Sequence, residues 1–524
     1  SSSAASDVYK RQFLFFLIDL TLLIYCNSFC NLLYGIIRNK EENMKYKFKM
    51  KPFRHQLDIL SHSWNKENYA IFADMGTGKS KIIIDNIALL YDRGKINAAL
   101  IIAPKSITGN WEKGEIPIHM PAHVEYHTIL WSSNTTQKQQ KLLEPLFKPL
   151  DKLIIFIINV EALSTSRGVD ITYKFLLSHS TFMAIDESTT IKNPKAIRTK
   201  NIIKMKDLAK YRRILTGMPV TKTPLDLYSQ CYFLDPYLLD FSSYYAFKAR
   251  YTITRKVHLP GRHSFDQVLK YIRLDELNAT LAKFSTRVLK SDCLDLPEKI
   301  YLKRHVQLTP EQQKAYVEMK KYGVSLLDKG QTMSAVNALA QLVRLHQITC
   351  GHVKTDDHQT RSIKNNRIEE LLSLLEETND KKIIIWAVYR YDIQEIEKQL
   401  QKKYGVKSVA TFYGDTKAEN RQEIVNEFQD ISSPLRFFVA NPQTGGYGLT
   451  LTASHTVIYY SNSYDLEIRM QSEDRAHRIS QTEKVTYIDL IAQKTVDEKI
   501  VKSLRNKINL ATQVLGEGMK TWLI

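Results

Sequence analysis

The chain is poor in cysteine, glycine and proline, and this scarcity excludes several classes of protein. It has 5 Cys, 19 Gly and 15 Pro among 524 residues, with 44% hydrophobic and 25% charged residues. This composition excludes a collagen-like, low-complexity or largely disordered chain. Five scattered cysteines are too few for a disulfide framework, which favours a reducing compartment. We expect a globular protein of about three domains, or two large ones.

Acidic residues are also in deficit. The sequence has 74 Lys and Arg against 55 Asp and Glu, which gives a formal net charge of +19 at pH 7. Such an excess of positive charge points to a polyanionic partner, either a nucleic acid or an anionic membrane surface. Composition alone does not choose between the two.

One apolar run, residues 13–37, is long enough to span a bilayer as a helix. Polar residues interrupt it, and residues 1–12 before it resemble a translated cloning remnant. We therefore interpret residues 1–43 as a leader that is artefactual or untranslated, with the natural chain starting at Met44. A membrane anchor is the alternative. The leader has four basic and four acidic residues, so the whole net charge of +19 lies on residues 44–524.

After the leader, short β-branched runs alternate with amphipathic stretches, which is the pattern of parallel sheets covered by helices on both faces. The pattern occurs twice and predicts an α/β protein with two tandem, doubly wound lobes. The predicted strands of the first series are residues 69–73, 99–103, 153–159, 182–186 and 212–216. Those of the second series are residues 382–388, 408–413, 436–440, 456–460 and 485–491.

The predicted first lobe covers residues 44–240, and the second covers residues 295–524 with a carboxyl-terminal helix. Between them, residues 241–294 begin with many aromatic and basic residues, and we interpret them as a small helical insertion or linker. Apolar residues at helical spacing predict that the final helix packs on the second lobe. These residues are Val496, Ile500, Leu504 and Ile508.

Residues 73–80, ADMGTGKS, lie between a predicted strand and a predicted helix, which is the context of a phosphate-binding loop. Glycines allow a tight turn that directs backbone N–H groups and the helix amino terminus at phosphate oxygens. The predicted nucleotide-binding residues here are Gly76, Thr77, Gly78, Lys79 and Ser80. Lys79 would reach the β- and γ-phosphates, and the Ser80 hydroxyl would bind Mg²⁺. Ala73 stands where the usual pattern has glycine, so an ordinary strand-to-helix turn is the alternative.

Asp186 and Glu187 end an apolar strand, where carboxylates are well placed to face a bound nucleotide. We predict that Asp186 holds Mg²⁺ and that Glu187 orients or deprotonates the attacking water. Alone, such a pair is usually a solvated turn, but downstream of a phosphate loop it favours a nucleotide site. Before the loop, the Gln56 amide can donate and accept at once, which suits an adenine edge. A surface helix start is the alternative for Gln56.

These pieces are similar to the superfamily 2 helicase-like ATPases, and residues 215–236 narrow the resemblance to the Swi/Snf, chromatin-remodeller-like branch of DNA translocases. Residues 293–301, 441–460 and 471–500 resemble that branch's entry to the second lobe, its motif V and its motif VI, in the right order. The resemblance covers about residues 53–515. It implies two RecA-like lobes with ATP and Mg²⁺ in the cleft between them and duplex DNA across both. The compact chain resembles small bacterial or phage members, which implies a cytoplasmic location.

Arg475 and Arg478 of motif VI are three residues apart, so on a helix they would project from one face. Because arginine stays ionised and can bind phosphate bidentately, they are suited to stabilise the γ-phosphoryl transition state from across a cleft. A solvated basic face is the alternative. The resemblance also assigns Gly448 of motif V to the nucleotide site.

By resemblance, contacts with DNA phosphates fall at Lys105, Ser106, Asn110, Asn159, Thr444 and Gly445, although each is equally compatible with an ordinary loop residue. The chain departs from the family after Glu187, where Ser188 and Thr189 replace a sequence that usually carries His. The connection from hydrolysis to motif III must therefore run through a hydroxyl or be missing.

The spacing of His346, Cys350 and His352 is compatible with a metal site, but no fourth ligand is close and the stretch resembles a buried helix of the family. We predict no structural zinc, and no membrane partner unless residues 13–37 are natural. The leading hypothesis is an ATP-dependent, sequence-nonspecific DNA translocase. A strand-separating DNA or RNA helicase and a DNA-binding scaffold with a decayed ATPase are the alternatives.

Overall fold

The computed structural model describes residues 46–133, 136, 141–148, 151–258, 264–328, 335–354, 359–378, 382–416, 418–445 and 449–517. The leader, with its apolar run and Met44, lies outside this part of the chain, so its interpretation stays a prediction. Among the described residues, no helix has both the length and the apolar character needed to cross a membrane.

The first lobe is built on a parallel sheet. Its strands are β1 (Asn68–Ala73), β2 (Ala98–Ala103), β3 (Tyr126–Leu130), β4 (Leu153–Asn159), β5 (Thr181–Asp186), β6 (Tyr211–Thr216) and β9 (Ser285–Val288). Their order across the sheet is β3-β4-β2-β5-β6-β1-β9. The helices are α1 (Arg54–Ser63), α2 (Lys79–Asp92), α3 (Lys105–Asn110), α4 (Ile116–His119), α5 (Ser166–Ser178), α6 (Ile197–Met205) and α7 (Leu227–Leu234). The five predicted strands are confirmed within one residue.

These strands read as continuous apolar runs because both faces of the sheet are covered. In β2, Leu100 and Ile102 belong to one core cluster, whereas Ala99 and Ile101 belong to the cluster on the other face. Strand β3 was missed because its sequence, YHTIL, is only partly buried and lacks a long apolar run.

The segment between the lobes is not wholly helical as predicted. It contains α8 (Tyr244–Tyr251), β7 (Thr252–Val257), β8 (Phe265–Tyr271), α9 (Leu274–Ala282), β9 and α10 (Lys290–Cys293). Strands β7 and β8 form an antiparallel pair, and β9 pairs in parallel with β1 at the edge of the first sheet. The first sheet therefore continues beyond residue 240. A four-residue strand such as β9 is too short to show a periodicity in the sequence.

The second lobe has a separate parallel sheet. Its strands are β10 (Lys299–Val306), β13 (Ile383–Trp386), β14 (Val409–Phe412), β15 (Phe437–Ala440), β16 (Thr456–Tyr459) and β17 (Val485–Ala492), in the order β10-β17-β16-β13-β15-β14. A small hairpin is formed by β11 (His352–Lys354) and β12 (Thr360–Ser362). The helices are α11 (Pro310–Asp328), α12 (Ala335–Thr349), α13 (Arg367–Glu377), α14 (Arg390–Tyr404), α15 (Ala418–Gln429), α16 (Pro442–Gly445), α17 (Leu466–Glu473) and α18 (Val496–Leu515). The predicted fold class, two α/β lobes with parallel sheets, is confirmed.

Helix α18 packs on both lobes. The four apolar residues predicted to face the second lobe lie in its core cluster together with Leu466 and Ile491. The last turns of the same helix carry Ala511 and Val514 into the core of the first lobe, beside Leu281 of α9. The predicted packing on the second lobe is confirmed, and the helix also joins the lobes mechanically.

A buried ion pair fixes the start of α18. The Arg367 guanidinium is fully buried, pairs with the Asp497 carboxylate, and donates to the carbonyl oxygens of Thr349 at 3.2 Å and Leu490 at 3.1 Å. Burial opposes ionisation of Asp497, but the Arg367 charge, His346 and the Ala492 N–H together outweigh it and hold the pKa of that carboxyl below its ordinary value. The pair thus stabilises the fold above the pKa of an unfolded aspartate, and this contribution is lost as the pH falls through the lower folded pKa.

We predict that Arg367→Ala lowers the free energy of unfolding by about 3–5 kcal/mol, because it leaves the Asp497 carboxylate buried without its cation. Chemical denaturation monitored by circular dichroism measures the change. The double variant Arg367→Ala/Asp497→Ala should lose less than the sum of the two single variants. Additive losses would contradict direct coupling between the two side chains.

Candidate nucleotide site and nucleic-acid interface

The predicted nucleotide residues of the first lobe meet at one edge of its sheet. Strands β5, β6 and β1 are neighbours and run parallel, so their carboxyl ends lie side by side. Asp186 is the last residue of β5, Thr216 is the last residue of β6, and Lys79 follows β1 through the glycine loop. This edge is where open α/β sheets bind their ligands.

The loop has the backbone geometry that its glycines permit. Gly76 and Gly78 both have φ of 83°, in the left-handed region that other residues adopt only under strain. A β-carbon at Gly78 would also lie 2.2 Å from Gln56 Nε2. Helix α2 begins at Lys79 with Ser80 as its second residue, so its first N–H groups lie directly after the turn.

Lys79 and Thr77 are held by the loop itself. Lys79 Nζ donates to the carbonyl oxygen of Ala73 at 2.9 Å, and Thr77 Oγ1 donates to that of Asp74 at 2.8 Å. Lys79 remains partly exposed, whereas Thr77 is buried. The ammonium group is therefore held near the edge of the sheet by neutral acceptors, with its charge available to an anion.

Asp186 and Glu187 are both buried, at 8% and 7% exposure. Trp111 Nε1 donates to Asp186 Oδ2 at 2.9 Å, and Thr216 Oγ1 lies 3.4 Å from Glu187 Oε2. Burial raises the pKa of both carboxyl groups, and the charge of Lys79 offsets this only in part. Glu187 has φ of 50°, which is uncommon outside glycine and marks backbone strain at the site.

These residues fit a triphosphate with its magnesium ion. The charge of Lys79 only partly compensates the burial of the two carboxyl groups, whose pKa values stay raised. A hard divalent cation beside them would supply further positive charge. The Ser80 hydroxyl and the Asp186 carboxylate are oxygen ligands of the kind Mg²⁺ prefers, and Lys79 together with the loop N–H groups suits the phosphates.

Trp111 is a site residue that sequence reasoning missed. It lies in a turn after α3, far from Asp186 in sequence, and it is 1% exposed. A buried indole N–H needs an acceptor, and here the acceptor is the proposed metal-binding carboxylate. A lone tryptophan in WEKGE carries no sequence signal for this contact, which arises only when β2 and β5 pair.

The hydroxyl of Ser188 is connected to residues 215–236. Ser188 Oγ donates to Gln230 Oε1 at 2.7 Å, and Gln230 Nε2 donates to the Pro219 carbonyl oxygen at 2.8 Å. These are the contacts that a connection through a hydroxyl requires, and its part in hydrolysis stays a prediction.

Thr189 reaches the second lobe instead. Its Oγ1 donates to Glu467 Oε1 at 2.7 Å, and Lys192 Nζ lies 3.2 Å from Glu467 Oε2. Burial is the main cause of the raised pKa of Glu187, and the negative charge of Glu467 adds to it. Glu467 therefore joins the two lobes and acts electrostatically on the predicted base. Sequence reasoning missed it because it lies outside the recognised motif.

Lys290 makes a second bridge between the lobes. Its Nζ donates to Asp474 Oδ1 at 2.8 Å and to the His477 carbonyl oxygen at 3.0 Å, while its backbone N–H donates to Asp74 Oδ2 at 3.1 Å. One residue thus contacts both the phosphate loop and motif VI. Its sequence context, VLKSDC, gave no indication of this role.

The expectation that Arg475 and Arg478 share a helix face is wrong, because α17 ends at Glu473 and both arginines lie in the turns that follow. The two arginines nevertheless lie close to each other, because the Nη1 atom of each one donates to the same acceptor, the Leu449 carbonyl oxygen, at 3.1 Å. Arg475 Nη2 lies 3.5 Å from the Met75 sulfur in the phosphate loop. The structure therefore brings motif VI against the loop, with Arg475 at the contact.

Gln481 holds the segment that follows the helix. Its amide nitrogen donates to the carbonyl oxygens of Ala476 at 3.0 Å and of Thr452 and Ser454 at 3.1 Å each. These bonds hold the segment that carries the arginines against the preceding loop.

A cavity of about 590 Å³ lies between the lobes. Residues from both sides line it, including Met75 and Glu187 of the first lobe and Gln471 and His477 of the second. Within the described part of the chain, Gln471 Oε1 and His477 Nδ1 are buried without a hydrogen-bond partner. The cavity is in the size range of small-molecule sites, and polar and charged side chains of both lobes line it.

Gln56 and Gly448 stay predictions. The Gln56 oxygen accepts from the Phe53 N–H at 3.0 Å, and its nitrogen donates to the Thr77 carbonyl oxygen at 3.0 Å. Its amide thus braces the phosphate loop in this structure. Gly448 lies outside the described residues.

Four predicted DNA contacts share the carboxyl edge of the first sheet. Lys105, Ser106 and Asn110 lie on exposed positions of α3, directly after β2. Asn159 ends β4 and pairs with Ala103, the last residue of β2. The four side chains can therefore contact one continuous backbone.

The other two predicted contacts lie on the second lobe. Thr444 and Gly445 are in α16, after the carboxyl end of β15. Gly445 is tightly packed, because a β-carbon there would approach the Trp386 ring to 2.7 Å. Gly445 thus offers backbone only, whereas the partly exposed Thr444 offers a hydroxyl.

His346 at the end of α12, Cys350 directly after that helix and His352 at the start of β11 have partners in the local packing. His346 Nδ1 lies 2.9 Å from the Tyr389 hydroxyl, and His352 Nδ1 lies 3.1 Å from Asp392 Oδ1. Cys350, which lies between the two histidines in the sequence, is buried. In the ranges that the structure describes, no group of three or more His, Cys, Asp or Glu residues has the arrangement of a metal site.

Comparison with known proteins gives two family matches and more distant relatives. The SNF2-related domain matches residues 54–354, and the helicase conserved C-terminal domain matches residues 364–480. An uncharacterized ATP-dependent helicase of Mycoplasma genitalium is 28% identical over 86% of this chain and 40% of that protein. The chromatin structure-remodeling complex subunit snf21 of Schizosaccharomyces pombe is 27% identical over 90% of this chain and 39% of its own length. The chain thus spans about two fifths of these curated relatives.

A similar solved structure is the SWI2/SNF2 ATPase core of Sulfolobus solfataricus in complex with dsDNA. It is 24% identical, covers 90% of this chain and 94% of its own, and superposes with a TM-score of 0.40.

We predict that removing two bridging cations, in Lys192→Ala/Lys290→Ala, opens the nucleotide-free protein, because each pairs with a carboxylate of the other lobe. The radius of gyration from small-angle X-ray scattering should rise. The matched control is Lys148→Ala/Lys484→Ala, which removes two exposed cations whose partners are in their own lobe. An equal radius of gyration in the bridge variant, the control and the wild type would show that these pairs do not hold the lobes together.

Proposed function

Because this chain belongs to the SNF2-related domain family, we propose that it is an ATP-dependent motor that hydrolyses ATP in the cleft between its lobes and moves along duplex DNA without sequence specificity. The observation that carries the proposal is the closeness of the two lobes at the phosphate loop. Arg475 Nη2 of motif VI lies 3.5 Å from Met75 of that loop. A nucleotide bound by the loop would therefore also be within reach of the second lobe.

The first lobe binds the nucleotide in this proposal. The N–H groups of the glycine loop and of the start of α2 face the phosphate oxygens, and Lys79 exchanges its loop carbonyl acceptors for the β- and γ-phosphates. Ser80 and Asp186 would hold Mg²⁺, which when bound neutralises charge that develops on the phosphates. Trp111 keeps the Asp186 carboxylate oriented through its indole N–H.

Glu187 is the proposed base. A carboxylate with a raised pKa accepts a proton from an attacking water more readily at neutral pH than an ordinary glutamate does. Thr216 Oγ1, 3.4 Å away, restrains its orientation. Arg475 and Arg478 would stabilise the negative charge of the transition state, an effect of about 10³ to 10⁵ in rate in comparable enzymes.

Nucleotide binding would convert to movement because the two lobes grip the same phosphates. When hydrolysis removes that bridge, the lobes separate as far as the remaining contacts allow, and they close again on the next ATP. If Lys105, Ser106, Asn110 and Asn159 hold the DNA backbone on one lobe while Thr444 and Gly445 hold it on the other, alternating closure produces steps. Contacts with phosphates alone carry no sequence information, so the motion would be sequence-nonspecific.

We expect ATP turnover to rise when duplex DNA is added to the wild-type chain. Lys79→Ala and Glu187→Gln should lower the stimulated rate at least about 100-fold, because they remove phosphate binding and proton acceptance. Steady-state phosphate release measures this, and duplex affinity should stay within a few fold. Lys204→Ala, which removes an exposed lysine of α6, is the matched control for Lys79.

Triplex displacement and strand-separation assays on the same protein distinguish the kinds of motor. Displacement without unwinding supports translocation, whereas unwinding of a blunt duplex would indicate a strand-separating helicase. Unchanged turnover in Glu187→Gln would contradict the assignment of the base.

The acidic limb of the pH–rate profile should report the Glu187 carboxyl. Because burial and nearby negative charges raise its pKa, the rate should fall at a higher pH than for an ordinary glutamate. Glu467→Gln removes one of those charges, so the pKa of Glu187 falls and the limb should move to lower pH. The control is Glu483→Gln on an exposed turn. A shift of the limb to higher pH in Glu467→Gln would exclude this coupling.

A further inference from the structure

The hairpin formed by β7 and β8 extends from the first lobe. Its base is attached, since the Ile272 N–H donates to the Tyr251 carbonyl oxygen at 3.0 Å and Tyr271 packs against the core of the first lobe. Beyond this base, most side chains of both strands are exposed. A two-stranded hairpin of this kind gains little stability by itself, so its exposed side chains call for another explanation.

The strand register divides the hairpin into two faces, because cross-strand partners share a face. One face carries the pairs Ile253 with Lys270, Arg255 with Gln267, and Val257 with Phe265, and a register shift in β8 leaves Leu269 unpaired between the first two of these pairs. The other face carries the pairs Thr252 with Tyr271, Thr254 with Val268, and Lys256 with Asp266. The second face includes the buried base of the hairpin. We call the first one the Arg255 face.

The Arg255 face combines cations with apolar side chains and has no carboxylate among its six paired residues. Ile253 is 47% exposed and Phe265 is 50% exposed, although both are large apolar side chains. Arg255 Nη2 lies 3.3 Å from Gln267 Oε1, which orients the guanidinium on the same face without neutralising it. Exposed apolar residues beside unneutralised cations indicate an interaction surface rather than a solvated one.

The chemistry of this face fits the backbone of a nucleic acid. Arginine and lysine bind phosphates, apolar side chains can pack on deoxyribose, and a two-stranded ribbon has the width of the major groove. A protein partner with ordinary mixed charges would not require a face without carboxylates. The net charge of +19 on the chain favours the same polyanionic partner.

The hairpin is also attached on the correct side of the sheet. Helix α8, which leads directly into β7, lies against Pro224–Asp226, and these residues follow β6 at the carboxyl edge, where Lys105 follows β2 and Asn159 ends β4. Strand β5 separates β6 from β2 in the sheet. A duplex lying across this edge could therefore meet the hairpin and the α3 region at two different places.

We propose that the Arg255 face of the β7–β8 hairpin is a second contact surface for the phosphate backbone of duplex DNA, with Arg255 and Lys270 as the phosphate-binding residues. The identity of the polymer rests on the proposed function, whereas the contact surface rests on the hairpin itself. The hairpin would extend the length of DNA covered by the first lobe and increase the time that the motor stays bound.

The test measures duplex affinity of the full chain by fluorescence anisotropy over a series of KCl concentrations. Each phosphate contact contributes about 0.9 to the slope of log K against log salt, so Arg255→Ala/Lys270→Ala should reduce the magnitude of the slope by about two. The control Lys256→Ala/Lys204→Ala removes the same charge from the opposite face and from α6, and it should keep the wild-type slope. Arg255→Lys/Lys270→Arg should also keep it. ATP turnover without DNA should be the same in all three double variants and the wild type.

A wild-type slope in Arg255→Ala/Lys270→Ala, or an equal reduction in the control, would overturn the hairpin assignment while leaving the motor proposal intact. A protein would then be the remaining kind of occupant for this face. If the wild-type chain itself does not bind duplex DNA, the proposed function fails together with the assignment. Thermal unfolding of each variant checks that the hairpin base remains folded.

Discussion

The structure depends on two carboxyl groups buried at the carboxyl end of one strand. Asp186 and Glu187 lie where β5 leaves the sheet, at a depth that raises the pKa of both. The first lobe offers them Lys79, an indole N–H and a threonine hydroxyl, which stabilise the charges only in part. Such a site is electrostatically incomplete in one lobe, and it favours a bound cation and the approach of positive groups from elsewhere.

Several contacts hold the second lobe at this edge of the first sheet. Arg475 approaches the phosphate loop, and Lys290 bridges Asp74 and Asp474 with its backbone and side chain. Helix α18 adds an apolar connection, since its first turns pack on the second lobe and its last turns reach the first. Polar contacts and an apolar helix thus both join the two lobes.

Sequence patterns predicted the elements that are long, buried and local. The apolar strands and the helix that starts at Lys79 were found because each has a continuous run or a capping loop in one stretch of sequence. What was missed depends on partners distant in the chain. Trp111, Glu467 and Lys290 acquire their roles only when β2 pairs with β5 or when the lobes meet, and no local periodicity encodes that. The helix expected for Arg475 is also absent, and the segment that carries this arginine is held instead by the bonds of Gln481 to carbonyl groups of a preceding loop.

The departure after Glu187 is informative in the same physical terms. Where the family usually carries a histidine, this chain has two hydroxyl residues, and they point to different destinations. Ser188 donates to Gln230, which in turn donates to the Pro219 carbonyl oxygen. Thr189 donates to Glu467 on the other lobe. A single imidazole would have to serve both directions and would change its charge near neutral pH. Here two neutral hydroxyls share the two connections, and neither donor changes its charge near neutral pH. Titration at this point is then left to Glu187 and its carboxylate neighbours, which is where the proposed chemistry requires it.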